Sequence, residues 1–574
     1  MAAALAVCLA IFVWQIWIYW FLTDDAFISF RYARNLRNGY GLVFNPGFER
    51  VEGYTNFLWV VILAGVDWLT GWAPHLTANW LSAAVGVALL TLPISFCWER
   101  GPIGSHRWLI VFLALWLAMN RSLAVWCTSG LETKLFELLV VGAVFLGIRE
   151  VERRDSSGWR SAALFALAAL TRPDGVLLAG VFFAGRFAYE AYGRRVDLRA
   201  TAKAVLLFSA IVGAHTAFRW VYYGELLPNT YYAKLGGASW WDMGFLYLGT
   251  FLLEYGAVVW LPLLVIASVG LARERRPAAA WLIGITIFAH ALYLAYCGGD
   301  HFEYRPADLY FPLLAVLLYD GLGFVSQRWG RRVAVAWGGA CCAAIAILPL
   351  LSHLDFPSDY RTGFPGGTAR ADDNRDLIDL RRHPWLVALP GASLYLRTYN
   401  GGYKLLSRHF VALRQEEHRG FLSTVEPEGK LLGEMVADGL LPRDTFIAIP
   451  CVGAIPYFSD LRTLDSLGLT DKVIARQAMR PNAQRAMAHD KTASRTYMVE
   501  SGVEISAAFL DPHLLLQATS PKVEYWSYIA HYAGAAGQMY KSKALPGGYH
   551  LIGVMLQPDP EARFPALELT PFWE

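Results

Sequence analysis

The chain has 574 residues, 55% of them hydrophobic and 17% charged, with a mean hydropathy of +0.34. Soluble domains carry roughly 25% charge, and here the deficit is concentrated: 49 charged residues fall in 1–351 and 48 in the shorter stretch 352–574. That excludes a single soluble globule, and a net charge of +3 with a pI near 8.3 carries no nucleic-acid signature.

The division predicts a membrane domain over 1–351 and a water-exposed domain over 352–574. The opening stretch, MAAALAVCLAIFVWQIWIYWFL, lacks a basic n-region and a small-residue cleavage site, so it reads as a first transmembrane helix. At about 20 apolar residues per crossing, spans are predicted near 1–22, 76–98, 108–126, 131–149, 160–171, 175–188, 204–222, 257–272, 279–297, 308–325 and 333–351. The pair 160–171 and 175–188 is short, and meets at TRPDG (171–175). Such a polar break is tolerated at membrane depth only where it is buried or lines a wet cavity. The segments 57–72 and 240–256 read as helices lying in the outer interface, with Trp59, Trp68 and Trp72 at headgroup level.

Eleven passes satisfy the positive-inside rule. Of the 27 basic residues in 1–351, 17 fall in five loops on one face. The expected topology therefore has a cytoplasmic N-terminus and a first outer loop over 23–75, with the tail outside. The tail alternates β-like runs (445–450, 461–469, 548–556) with a helical stretch over 472–489, which suggests a small α/β module. ADDNRD (371–376) reads as a solvated loop or helix start. Six of seven cysteines lie in apolar stretches and only Cys451 in the tail, so the tail has no internal disulfide.

Polar residues that membrane helices cannot easily hide collect on the predicted outer face. They are Asp24 and Asp25; Glu132; Arg172 and Asp174; Asn229 and Lys234; and Asp300, His301, Glu303 and Arg305. Ionisable groups at membrane depth are costly and by default functional, and five clusters at separate span ends point to one shared cavity. A partly desolvated carboxylate such as Asp24 or Asp25 suits a general base, although a bare Asp-Asp equally fits a helix N-terminus. Arg172 and Arg305 suit phosphate bidentately, or each neutralises its neighbouring carboxylate, Asp174 or Glu303. Lys234 and His301 are lesser phosphate candidates; an interface lysine often only snorkels, and a lone histidine is often only hydrogen-bonded. Asp25, Glu132, Asp174 and Asp300 together offer oxygen ligands for a divalent cation such as Mg or Mn, though no spacing enforces one. Gly39-Tyr40-Gly41 reads as a helix stop rather than a phosphate loop.

TDDAFISFRYARNLRNGYGLVFNPGFERVEGYTNFLW (23–59) resembles the first outer loop of polytopic glycosyltransferases of the GT-C class, above all the actinobacterial terminal arabinofuranosyltransferases. The likeness continues in order through TSGLETKLF (128–136), TRPDG (171–175), YYGELLPNTYYAK (222–234), GGDHFEYRPADLYFP (298–312) and VGAIPYFSDLRTLDSLGLTD (452–471). The resemblance implies a GT-C-like helical membrane fold with an extracytoplasmic α/β domain, in a bacterial plasma membrane. It implies transfer of a sugar, best read as D-arabinofuranose, from a polyprenyl-phosphate donor to a cell-envelope polysaccharide. Asp24 corresponds best to the family's catalytic acidic residue, with Asp25 beside it. Arg305, Arg172, Lys234 and His301 are then expected at the donor phosphate. Glu132, Asp174, Asn229, Asp300, Glu303 and Tyr54 are expected at the substrates.

Two features depart from the pattern. The first span opens at Met1 without a basic flank, which leaves a start further upstream open, and outside 452–471 the tail is only loosely similar. A transporter or lipid flippase also needs intramembrane polar groups, but would place them near the midplane with inverted-repeat symmetry, which the sequence lacks. A non-catalytic anchor for a glycan-binding tail has little reason to keep charges at five span ends.

Overall fold

A computed structural model describes residues 1–100, 107–153, 158–193, 196–234, 239–274, 277–356, 376–478, 485–487 and 489–508, with short runs over 526–529, 531–532, 535–536, 552–556 and 559–571. The apolar segments read from the sequence are helical, although the span expected at 108–126 breaks at Met119–Asn120 into two short helices. In chain order the helices are α1 (Ala2–Ile18), α2 (Asp24–Arg37), α3 (Phe57–Thr70), α4 (Pro74–Arg100), α5 (Ile110–Ala118), α6 (Arg121–Val125), α7 (Thr133–Arg153), α8 (Trp159–Thr171), α9 (Asp174–Tyr192), α10 (Leu198–Tyr223), α11 (Asn229–Lys234), α12 (Trp241–Glu254), α13 (Ala257–Arg273), α14 (Ala278–Cys297), α15 (Tyr310–Trp329) and α16 (Arg331–Leu354). Five helical stretches among the described residues are long and apolar enough to cross a membrane: α4, α10, α14, Arg305–Trp329 and α16. The pair α12 and α13 qualifies only together, bent by 93° at its break. Helices α1, α3 and α8 and the stretch Arg107–Ala118 are apolar but shorter.

Burial separates their roles. Arg305–Trp329 is enclosed almost completely by other helices, whereas α10 is nearly bare. On α10, Leu206 is 67% and Val221 84% exposed. An apolar helix that protein leaves uncovered needs hydrocarbon as its solvent.

Beyond α16, helices α17 (Pro384–Val387), α18 (Ala392–Arg408) and α19 (Gln415–Ala437) lead into a sheet. It comprises β1 (Phe446–Ile449), β2 (Arg462–Asp465), β3 (Ile505–Ala508), β4 (Trp526–Ile529), β7 (Ile552–Met555) and β8 (Glu568–Pro571), in the order β2-β1-β3-β7-β4-β8. A separate two-stranded ribbon pairs β5 (His531–Tyr532) with β6 (Ala535–Ala536). The pairs β1–β2 and β1–β3 are parallel and the remaining pairs antiparallel. The runs at 445–450 and 461–469 are thus strands, and the run at 548–556 is a strand over its described part.

Of the helix expected over 472–489, the described residues hold one turn, α21 (Lys472–Ala475), which follows α20 (Ala454–Ser459) of the β1–β2 connection, while 479–484 and 488 lie outside the described residues. Asp471 caps that turn through the Val473 and Ile474 amides, and Lys491 draws the following chain back by donating to the carbonyls of Tyr232 and Ala475. Residues 371–375 of the ADDNRD run lie outside the described residues. All seven cysteines are free and buried.

One buried charge cluster fastens the tail to the helices. Arg414, fully buried just before α19, donates to Glu254 at the end of α12 (3.0 Å) and to Ser352 Oγ on α16 (2.8 Å). It lies 3.6 Å from Glu303. Arg121 on α6 pairs with Glu303 and donates to Glu416 at 3.0 Å. Glu416 also accepts from His353, and Tyr399 on α18 donates to Glu254 at 2.6 Å.

Removing one partner of such a cluster strands a charge in a dry site and costs about 3–5 kcal/mol. Arg414→Leu should therefore lower the thermal unfolding temperature of the purified protein sharply. Arg381→Leu, whose partner Asp379 sits at the surface, should leave it nearly unchanged. Equal, small shifts for both would contradict the role given to Arg414.

Candidate functional site

Helix α2 starts at the two aspartates, where acidic side chains complement the helix dipole. Its N-cap, Thr23, is extended and makes no side-chain cap bond, so the carboxylates are available for other partners. They face the tail. Asp24 accepts a 2.7 Å hydrogen bond from the Ala454 amide at the start of α20. A methyl group at Gly453 would fall 2.0 Å from the Asp24 carbonyl oxygen and 2.5 Å from its carboxyl carbon, so only glycine permits this approach. Arg31 and Arg34, one turn or more along α2, donate to the carbonyls of Pro456, Leu461 and Tyr457.

Two cavities flank α2. The larger, of about 280 Å³, is lined by Asp25, Tyr54, Glu132, Arg172, Asp174, Lys234, Asp300 and Arg305. Eight of the twelve residues singled out in the sequence thus share one chamber. Arg172 reaches it because Pro173 forbids helix at the preceding residue, leaving Arg172 extended between α8 and α9. Gly175 closes that turn: a methyl there would lie 2.6–2.8 Å from the Ala168–Ala169 backbone. Arg305 follows Gly298 and Gly299, both at positive φ, and Tyr304, a non-glycine residue at φ 43°.

Most charges in the chamber are matched. Arg172 donates to Asp174 (3.1 Å) and lies 3.4 Å from Glu132. Glu132 also accepts from Asn56 at 2.8 Å. Arg305 holds Asp300 at 3.1 Å. Among the described residues Asp25 and Lys234 have no such partner, and both border the second cavity as well. That cavity, about 110 Å³, lies on the tail side of α2 and is lined also by Asp24, His301, His418, Asp465 and His489. Asp465 accepts the amides of Leu467, Gly468 and Thr470.

Three side chains are placed differently from the sequence reading: Glu303, Asn229 and His301. The partner of Arg305 is Asp300, not Glu303, because Glu303 points into the Arg121–Arg414 cluster and lies outside both cavities. Asn229 spends its amide on the carbonyls of Gly468, Leu469 and Asp471, which ties α11 to the tail. His301 stands in the smaller cavity with Nδ1 on the Phe410 carbonyl (2.9 Å), apart from Arg172 and Arg305. Of the oxygen ligands offered for a divalent cation, Glu132 and Asp174 are held by Arg172 and Asp300 by Arg305, and among the described residues no three ligating side chains converge. No step below is routed through a metal.

The sequence reading passed over Asn56, His418 and His489, and gave Thr230, in the polar cluster with Asn229 and Lys234, no role. Thr230 lines the larger cavity with a buried hydroxyl that has no partner among the described residues. Both Asn56 and Thr230 lie inside the quoted blocks. The two histidines stand alone in the tail and converge only in three dimensions.

Comparison with known proteins is consistent with this picture. Residues 421–563 match the family described as a domain of unknown function, DUF8728. The chain is 28% identical over 377 residues to the terminal beta-(1->2)-arabinofuranosyltransferase of Mycobacterium tuberculosis, covering 57% of this chain and 58% of that protein. It is 28% identical over 361 residues to the protein of the same name from Corynebacterium glutamicum, covering 56% and 51%. The chain thus spans little more than half the length of the curated relatives it matches. Over 97% of its length it shares the fold of ArnT from Cupriavidus metallidurans bound to undecaprenyl phosphate, 98% of which is covered, with a TM-score of 0.54 at 15% identity. The GT-C-like helical architecture expected from the resemblance is the one found.

Burial pushes the Asp24 carboxyl up from 3.8 to about 7; the nearby Asp25 charge adds to the rise and the Ala454 amide opposes it. The folded chain therefore holds a proton that the unfolded chain releases near pH 4. The resulting stability is complete below pH 4 and is lost as pH rises to about 7. Asp24→Asn keeps an acceptor oxygen for Ala454 and removes the titration. Wild type should lose stability relative to this variant between pH 4 and 7, at up to about 1.4 kcal/mol per pH unit. Parallel unfolding-temperature profiles for the two proteins would refute the assignment.

Proposed function

We propose that the protein is a glycosyltransferase of the outer membrane face. It moves a sugar, best read as D-arabinofuranose, from a polyprenyl-phosphate donor to a cell-envelope polysaccharide. The carrying observation is that the two cavities meet at one carboxylate and one ammonium, Asp25 and Lys234, which alone among the charges named above lack a partner among the described residues. The relatives' names support the sugar, and the ArnT fold supports a lipid-phosphate carrier. The proposed topology has eleven passes, an N-terminus in the cytoplasm and the tail outside. The gathering of basic residues in alternate loops of the sequence and the exposed apolar surface of α10 support it.

In this reading the donor lies in the larger cavity. Its phosphate meets Lys234, flanked by Arg172 and Arg305, whose carboxylate partners keep the guanidiniums oriented while moderating their charge. The acceptor hydroxyl approaches from the smaller cavity and gives its proton to Asp25. The acceptor oxygen forms a bond to the anomeric carbon as the bond from that carbon to the phosphate oxygen breaks, and polyprenyl phosphate leaves. Attack from the side opposite the phosphate inverts the anomeric configuration. Positive charge at the phosphate, set in place beforehand, favours the transition state as negative charge gathers on the leaving group.

Asp24 corresponds to the family's catalytic residue by position, but its carboxylate is engaged by Ala454 and it borders only the smaller cavity. This supports Asp25 as the base and Asp24 as the anchor of the tail. Wild type, Asp24→Asn and Asp25→Asn should be offered a panel of polyprenyl-phosphate sugars, arabinofuranose included, with and without EDTA. Asp25→Asn should lose about 10²–10⁴-fold in turnover, with Asp24→Asn within about tenfold of wild type. The reverse order would move the base to Asp24, and EDTA-sensitive turnover would add a cation. No release of polyprenyl phosphate from any donor would reject the enzyme reading and favour a transporter.

Lys234→Met should weaken binding of polyprenyl phosphate by at least tenfold, with a smaller effect of ionic strength on what binding remains. Unchanged binding would place the phosphate elsewhere.

A further inference from the structure

The smaller cavity holds three imidazoles from three separate parts of the chain: His301 after α14, His418 on α19 and His489 beyond α21. The His301 ring centroid lies 5.2 Å from that of His418 and 5.4 Å from that of His489. Backbone carbonyls hold the middle ring and one outer one: His301 Nδ1 meets the Phe410 carbonyl at 2.9 Å, and His489 Nδ1 the Met487 carbonyl at 2.7 Å. The His418 ring faces the Leu413 backbone, which favours a proton on it, while its Nε2 is buried and has no partner among the described residues. A carbonyl only accepts, so Nδ1 of His418 carries the proton. In a neutral ring Nε2 is then a bare acceptor. Burial favours that neutral form, pushing His418 well below the ordinary histidine range and His301 down to about 4.

The neighbouring carboxylates are already engaged. Asp24 accepts from Ala454, Asp465 from three amides, and Glu417 from the Arg414 amide. Among the described residues, what remains for a ligand is the Nε2 of His301 and of His418, together with Asp25 and Lys234, which border both cavities. Phe410, Phe421 and Leu469 supply apolar wall. A volume of about 110 Å³ matches three or four waters at about 30 Å³ each, which is the scale of one small ring. An anion meets a lone pair at Nε2, and the ligating groups do not converge on a cation. A neutral ligand presenting hydroxyl hydrogens and an apolar ring face fits.

Resting on the glycosyltransferase reading above, we propose that this cavity seats the terminal sugar of the acceptor, and that His418 Nε2 accepts a hydrogen bond from a ring hydroxyl other than the attacking one. That contact turns the attacking hydroxyl toward Asp25. His418 therefore selects the acceptor and takes no part in donor binding.

The test uses the full chain in nanodiscs with decaprenyl-phosphate arabinofuranose and a synthetic arabinofuranose disaccharide as acceptor. Acceptors lacking one ring hydroxyl at a time accompany it. With wild type, one deoxy acceptor should show a KM raised about tenfold or more, the loss of one buried hydrogen bond. His418→Phe, which keeps the ring shape without a lone pair, should raise KM for the intact acceptor to the same degree and be indifferent to that deoxy change. His418→Gln, which restores an acceptor oxygen, should recover part of the loss. Binding of decaprenyl phosphate should be unchanged in both variants. An unchanged acceptor KM in His418→Phe overturns the proposal, as does the absence of any sensitive hydroxyl in wild type, a result that does not depend on a variant folding. Failure of wild type to release decaprenyl phosphate overturns the glycosyltransferase reading itself, and this inference with it.

Discussion

Everything about the site depends on a chain of buried opposite charges, Glu254–Arg414–Glu303–Arg121–Glu416, strung between α12, the loop after α14, α6 and the start of α19. Desolvating one such group costs several kcal/mol, so the cluster is tolerable only when every member is present and in place. Its geometry is therefore close to all-or-none. The helices and tail are either registered to within hydrogen-bond distance or not associated in this manner at all. Registration fixes the loop of Asp300 and Arg305, which is bonded to the backbone at Ala412 and Leu413 two residues or fewer before Arg414.

Helix α2 uses that registration twice. On one flank its Asp25 borders a chamber of matched charges drawn from the helices; on the other it faces imidazoles and amides drawn mainly from the tail. Neither cavity is complete without the opposite half of the chain. The guanidiniums of Arg31 and Arg34 hold the tail against α2, Arg31 through the carbonyls of Pro456 and Leu461, Arg34 through the Tyr457 carbonyl and the Asp460 carboxylate at 2.8 Å. The close passage of Gly453 over Asp24 then sets the floor of the smaller cavity.

What could be read from the sequence was whatever is local. The apolar runs became helical, TRPDG became a helix break because proline acts on its immediate neighbour, and Arg172 met Asp174 two residues away. The larger chamber was legible because five span ends on one face must be close together. The rest was not, because its partners are far apart along the chain. Glu303 looked like the mate of Arg305, two residues on, but pairs with Arg121 and Arg414. Asn229 sits in a block that reads as substrate-binding, yet its amide meets carbonyls 239–242 positions away. Arg121 did leave a trace, a lone charge inside a run read as a span, and such a charge always needs a counter-ion. His418 and His489 left none.

The same charge cluster orders events during synthesis. The chain emerges from its N-terminus at a finite rate, so Arg121, Glu254 and Glu303 exist before Arg414 and Glu416 do. Until the residues around 414 arrive, three acidic or basic groups share one counter-charge too few, and Glu254 must stay wet or protonated. The helical half is thus held in a looser, hydrated state until the tail reaches it. A chain interrupted before Arg414 keeps that uncompensated carboxylate, a mark by which an unfinished protein differs from a finished one.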